Sequence, residues 1–214
     1  GYPIIFAPII MDFEITKIPY QYALVKAYKD LWSKDSSKDL NWDEIWEQLF
    51  SLMEHILNDE KIWDMDKGNT GSKSYSYPNE ESLLDVIVDL LKAGVNDEHS
   101  YSEAMIPRGF YLLKKYIVNM ERFVPKSYDD IHDIVNVAIN RLEGRVIETL
   151  IEYLLHECKL SDKINGNHDR VFDKYQDLYE SEFSSYYTSN YIFYCLFVSY
   201  IRQMLYINYK WTEK

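Results

Sequence analysis

Leu83, Leu84, Ile87, Leu90 and Leu91 recur at steps of three and four residues. That spacing lines one face of an α-helix, whereas a half-buried strand would alternate at steps of two. Ile45, Leu49, Leu52, Met53 and Ile56 keep the same period, as do Val146, Ile147, Leu150, Ile151, Leu154, Leu155 and Cys158. Seven or eight helices are expected and no hairpin-like strand pair, so the fold class is all-α, built of stacked antiparallel helical hairpins. No period of about 34 residues repeats cleanly, so the arrangement expected is a degenerate helical-repeat (TPR/HEAT-like) solenoid over 1–214.

Punctuation residues divide the pattern. Pro3 and Pro8 make 1–18 an irregular lead-in, and Pro19 then suits the first turn of a helix carrying Ala23, Leu24, Ala27 and Leu31. Asn41 is a good N-cap with Asp43 and Glu44 in the first turn, where carboxylates favour the positive end of the helix dipole. Residues 59–78 read as a long loop with a short turn around Ile62 and Trp63. Asn79 caps a third helix, and Gly94 followed by Val95 reads as its left-handed stop. A fourth helix begins near Ser102 or Pro107, turns Phe110, Leu113, Ile117 and Met120 inward, and ends before Pro125. A fifth spans Asp129 to Asn140. Gly144 then interrupts the broad apolar pattern of a central helix, which gives way to a turn-rich stretch from Ser161 to Asn167. Helices around His168 to Phe183 and Ser189 to Tyr209 complete the chain.

Composition excludes several classes. The chain is 47% hydrophobic and carries a formal charge of -12, so it can bury a core but repels a phosphate backbone; nucleic acid is not an expected partner. The apolar run Tyr191 to Ile201 is too short and too rich in hydroxyls to span a bilayer, so no membrane partner is expected either. Gly1-Tyr2-Pro3 lacks a basic signal-like start and reads as the middle of a longer chain. Cys158 and Cys195 lie in apolar surroundings without a CxxC pair, which fits reduced thiols in a cytoplasmic protein.

His132-Asp133, with His99 upstream and Asp169, Asp173 or Asp177 downstream, has the residue types of a helical metal phosphohydrolase. The doublet lies in the first helical turn after Asp129, where acids gather for dipole reasons alone, and His168-Asp169 repeats it at another helix start. Capping chemistry is therefore the reading taken. His156 and Cys158 point to different sides of their helix, and no nucleophile elbow, zinc-protease or phosphate-loop motif is present. No catalytic residue, cofactor or metal is assigned, and the chain is read as a non-enzyme.

Arg108, Lys114, Lys115, Arg122 and Lys126 cluster against the acidic background as a candidate partner-binding patch, set against the plainer reading of a solvated face with packed lysine stems. The tyrosines from Tyr175 to Tyr209 suit either a recognition surface or core packing.

The order of local patterns from Asn41 to Trp211 resembles the helical C-terminal sensor region of large bacterial antiphage defence proteins. Those proteins carry an N-terminal effector, often nuclease or sirtuin-like, joined to a STAND-type ATPase or directly to the helical sensor. The resemblance rests on the start Asn41-Trp42-Asp43-Glu44, the leucine-rich helix Leu83 to Gly94, the stretch Ala138 to Glu148 containing Asn140 and Gly144-Arg145, and the final apolar helix from Tyr191 to Trp211. It implies a segment that binds a phage or other partner protein and relays to an effector elsewhere in the full chain. Asn140 and Gly144 would there serve as a turn and a close helix contact. A structural scaffold or self-assembly domain is the alternative, and a metal-dependent phosphohydrolase the third reading.

Overall fold

A computed structural model describes residues 17–32, 40–64, 78–96, 100–122, 134–182 and 191–213. The described residues form ten α-helical segments and no strand, joined by short 3-10 and π turns, so the all-α expectation holds. Packing groups the chain into two compact units, Gly1–Phe123 and Val124–Lys214. The lead-in 1–16, loop residues 65–77 and the 129–133 start of the expected fifth helix lie outside the described residues.

In the first unit α1 (Ile18–Trp32), α2 (Trp42–Asn58), α3 (Glu80–Asn96) and α4 (Ile106–Val118) form two antiparallel hairpins. The expected caps are in place: Asn41 Oδ1 accepts from Glu44 N at 3.4 Å, and Asn79 Oδ1 accepts from Ser82 N at 3.0 Å. Each satisfies an N–H left over by the helix and is worth about 1 kcal/mol. The stripes of α2 and α3 are buried throughout, and Ile62 and Trp63 close the core from a short 3-10 turn.

Helices that are not consecutive in the chain also lie side by side. α1 packs on α3, where Lys29 reaches Asp89 at 2.5 Å, and α2 packs on α4, where Lys115 reaches Asn58 at 2.7 Å. Within the second hairpin, Tyr116 near the end of α4 donates to the Leu84 carbonyl near the start of α3, at 2.9 Å.

Two local expectations need correction. Gly94 does not end α3: the helix continues to Asn96, and Gly166 alone among the described glycines has a positive φ. Gly94 is instead the floor for an aromatic ring, since a Cβ there would lie 2.0 Å from the Tyr101 ring. Phe110 is only half-buried, and the inward positions of α4 are Leu112, Leu113, Tyr116 and Ile117.

The second unit is built on α6 (Leu142–Asn165), whose buried side includes Val146, Ile147, Leu150, Ile151, Leu154 and Cys158, as its central placement required. α5 (Ile134–Asn140) enters it through the bend at Arg141, and Glu143 in the first turn is buried with its carboxylate 2.7 Å from Arg141 Nε. Gly144 lies inside the helix rather than interrupting it, and a Cβ there would fall 1.7 Å from the Ala138 carbonyl oxygen. The close helix contact foreseen at this glycine is therefore present.

α6 also runs further than the turn-rich reading of Ser161 to Asn167 allowed, ending at Gly166 with φ 74°. The remaining helical expectation is broken into short pieces: α7 (Asp173–Asp177), a π turn Leu178–Glu182, α8 (Tyr191–Ser199), α9 (Ile201–Ile207) and α10 (Tyr209–Thr212). The long helix expected to reach Tyr209 is broken at Tyr200, between α8 and α9, and stops at Asn208, whose extended backbone and side chain cap α10 through Trp211 N at 3.0 Å. No helix among the described residues is long and apolar enough to cross a membrane.

Candidate functional site

The candidate basic patch divides into two kinds of residue. Arg108, in the first turn of α4, is held by α2: its Nε reaches Glu54 at 2.5 Å, one terminal nitrogen reaches Glu47 at 2.6 Å, and the other reaches Glu54 at 2.9 Å and Ser51 at 3.2 Å. Its plane also lies 5.2 Å from the Phe50 ring centroid. A bidentate, partly shielded fork of this kind fastens helices together and leaves little net charge for a partner. Arg122 is similarly engaged by Glu60 at 3.4 Å and Asp64 at 3.5 Å. Lys126 lies outside the described residues.

Lys114 and Lys115 differ. Lys114 Nζ sits 5.1 Å from the Phe110 ring centroid and Lys115 Nζ 5.1 Å from that of Tyr111, so the two ammonium groups are placed over aromatic faces on the outside of α4. Among the described residues, the side-chain acceptor of Lys115 is the neutral Asn58 amide oxygen, a contact that carries no opposite charge. Tyr111, Lys114, Lys115 and Val118 occupy the i, i+3, i+4 and i+7 positions of one helical stripe. Tyr111 is 52% exposed and Val118 is 73% exposed, although the opposite side of the same helix is buried. The sequence singled out the two lysines but not the two apolar residues flanking them; their shared helical spacing was the available signal.

In the second unit the tyrosines divide between core and surface. Tyr175 and Tyr179 are buried, and Tyr194 and Tyr209 are exposed. Three phenols tie later elements to acids along α6: Tyr175 donates to Glu157, Tyr200 to Glu148, and Tyr206 to Asp162. Tyr186 and Tyr187 lie outside the described residues. Much of the tyrosine enrichment is thus spent in fastening short helices to a long one, since a phenol offers a broad apolar ring and one strong donor at its tip.

Asp162 also accepts from the other doublet histidine. His168 Nδ1 lies 2.7 Å from Asp162 Oδ1, and His168 Nε2 lies 2.7 Å from the Tyr206 backbone oxygen. Hydrogen bonds from Tyr206 and then from His168 hold the Asp162 carboxyl below its ordinary range. A cleft of about 640 Å³ opens beside this cluster, with His168, Asp169 and Asp173 on one side and Tyr206, Lys210 and Trp211 on the other.

His99 and His132-Asp133 lie outside the described residues, so the metal pattern built on them has no placed core. Among the described residues no three His, Cys, Asp or Glu side chains converge as an ion site. Cys158 is buried, and that burial pushes its thiol up to about 12, with Asp162 and Glu157 adding to the effect. It is a packed thiol, not an activated nucleophile.

Comparison of the chain with protein-family models, with curated proteins and with solved structures returned no match.

Proposed function

We propose that the chain is a helical-repeat recognition segment of a bacterial antiphage defence protein, acting in the cytoplasm and binding an acidic protein surface through the outward stripe of α4. The observation that carries the binding reading is the juxtaposition on that stripe of two aromatic-backed ammonium groups with exposed Tyr111 and Val118. A purely solvated face has no need of exposed apolar residues at i and i+7, whereas helical recognition surfaces combine apolar anchors with flanking charge. Cation–π contacts at exposed sites are worth about 0.5 to 1 kcal/mol each, enough to bias the lysines toward one orientation before a partner arrives.

The degenerate-repeat reading draws support from the first unit, where α1 packs on α3 and α2 on α4. Stacking equivalent helices of successive hairpins is how helical solenoids extend, and it sets the outer helices in a row as a binding surface. The defence setting rests on the resemblance from Asn41 to Trp211, which also supplies the idea of relay to an effector elsewhere in the full chain.

Pull-down of the intact chain against purified phage structural and packaging proteins tests the reading. A partner should bind more weakly as salt rises, and Lys114→Glu with Lys115→Glu should lower its affinity at least about tenfold, because like charges then meet across the contact. If no phage protein binds while the chain associates with itself, the scaffold reading replaces this one.

A further inference from the structure

His168 stands in an unusual position for a neutral imidazole. Both ring nitrogens face acceptors, a carboxylate oxygen at 2.7 Å and a backbone carbonyl oxygen at 2.7 Å. Neutral histidine carries one N–H and can satisfy only one of them, whereas the imidazolium donates to both. The surroundings fix the ring from three elements. Asp162 belongs to the last turns of α6, Tyr206 to α9, and His168 itself to the turn after Gly166. That turn is tied down by Ser161 Oγ donating to the Asn167 oxygen at 2.8 Å and by Val171 N donating to the His168 oxygen at 2.9 Å. The ring also packs on the Tyr206 ring with centroids 4.4 Å apart.

We propose that Asp162, His168 and Tyr206 form a pH-operated latch that fastens α9 to the end of α6 when the ring is doubly protonated and loosens α9 and α10 when one ring proton leaves. The carboxylate keeps the remaining N–H, because a charge-assisted bond is the stronger of the two. The lone pair of Nε2 then faces the Tyr206 carbonyl, an acceptor near the end of α9 that its helix does not satisfy. The cleft between the turn and α10 widens as that contact is lost.

The charged and titratable groups around the ring are Asp162 from α6, Asp169 on its own turn and Tyr206 from α9, and Asp173 from α7 with Tyr209 and Lys210 from α10 line the same cleft. Desolvation works against the charged ring, but the bonds to Asp162 and the Tyr206 carbonyl, with the negative charges of Asp162 and Asp169, outweigh it and raise His168 above its ordinary value. A raised value in the folded state means that the latch contributes fully below the ordinary histidine range of about 6.5 and is lost as pH rises through the raised value.

Ring-nitrogen NMR and peptide-resolved hydrogen exchange on the intact chain test the latch, with exchange corrected for its intrinsic pH dependence. The expected result is two ring N–H groups on His168 at a pH of about 5.5 and a fall of at least about tenfold in amide protection over 201–213 as the ring loses a proton. Asp162→Asn should move that midpoint to lower pH, and His168→Gln should leave protection over the same segment independent of pH across the range. Protection of 201–213 that stays flat while the wild-type ring titrates, or a ring carrying one proton at the acidic end, overturns the proposal without any variant having to fold.

Discussion

Gly144→Ala is expected to destabilise the second unit by about 3 kcal/mol or more, lowering its melting temperature by roughly 10 to 20 °C. The sign is opposite to the usual one, because replacing a helix-interior glycine with alanine ordinarily gains up to about 1 kcal/mol from reduced freedom of the unfolded chain. Here the added methyl would lie 1.7 Å from the Ala138 carbonyl oxygen and 2.8 Å from its carbon. Both atoms are backbone, so no side-chain rotation relieves the overlap. α5 must move away from the start of α6, and α5 is also packed against α8. Circular dichroism melts give the loss, and hydrogen exchange should place it in 134–213 while protection in 17–122 is kept. An unchanged melt would mean that α5 meets α6 differently from the geometry described.

Trp46→Ala should cost the first unit about 3 to 5 kcal/mol, the range for removing a large buried aromatic. Trp46 is 0% exposed, with its ring 5.0 Å edge-on from Tyr101 and 5.7 Å from Phe50. Tyr101 in turn lies over the bare backbone of Gly94, so the cavity would open where α2, α3 and the strand of chain before α4 meet. The surrounding rings cannot collapse into the space without leaving their contacts with one another. Urea unfolding should show the first unit's transition shifted to lower denaturant and exchange over 42–58 and 80–96 accelerated. Arg108 bridges α2 and α4 beside this core through Glu47 and Glu54.

Gly144 and Gly94 mark how far the sequence could be read. Local chemistry was legible wherever it acted within a few residues: Asn41 and Asn79 cap the helices they precede, and the stripes of α2 and α3 are the buried faces. Gly144 was read locally as an interruption of the apolar pattern, and its close helix contact came only with the family resemblance. Gly94 was misread because a glycine followed by valine fits a helix stop, and what decides its role is Tyr101, whose approach depends on the path of the intervening chain. The extension of α6 past Ser161 has the same long-range origin, whereas the stop at Asn208 is local, its side chain capping α10. Asp162 stays helical while engaging His168 and Tyr206 from other elements, and these tertiary bonds outweigh the turn propensity of the residues around it.

The candidate site was half legible. Lys114 and Lys115 stood out as charges in an acidic chain, but Arg108 belonged to the same cluster by sequence and is spent on Glu47 and Glu54, fifty or more residues earlier. The exposure of Tyr111 and Val118 became visible only once Leu112, Leu113, Tyr116 and Ile117 were placed inward. Likewise, His168-Asp169 looked like a doublet, whereas the carboxylate that His168 engages is Asp162 on the preceding helix.

The most direct test of the proposed recognition role is site-specific photo-cross-linking in the intact protein during phage infection. A benzophenone-bearing residue replaces Tyr111, and Tyr20, 58% exposed on α1, serves as the control position. A discrete adduct with a phage protein at position 111, absent at position 20 and abolished by Lys114→Glu with Lys115→Glu, is the result expected. Equal labelling at both positions, or adducts only between copies of the chain itself, would contradict it.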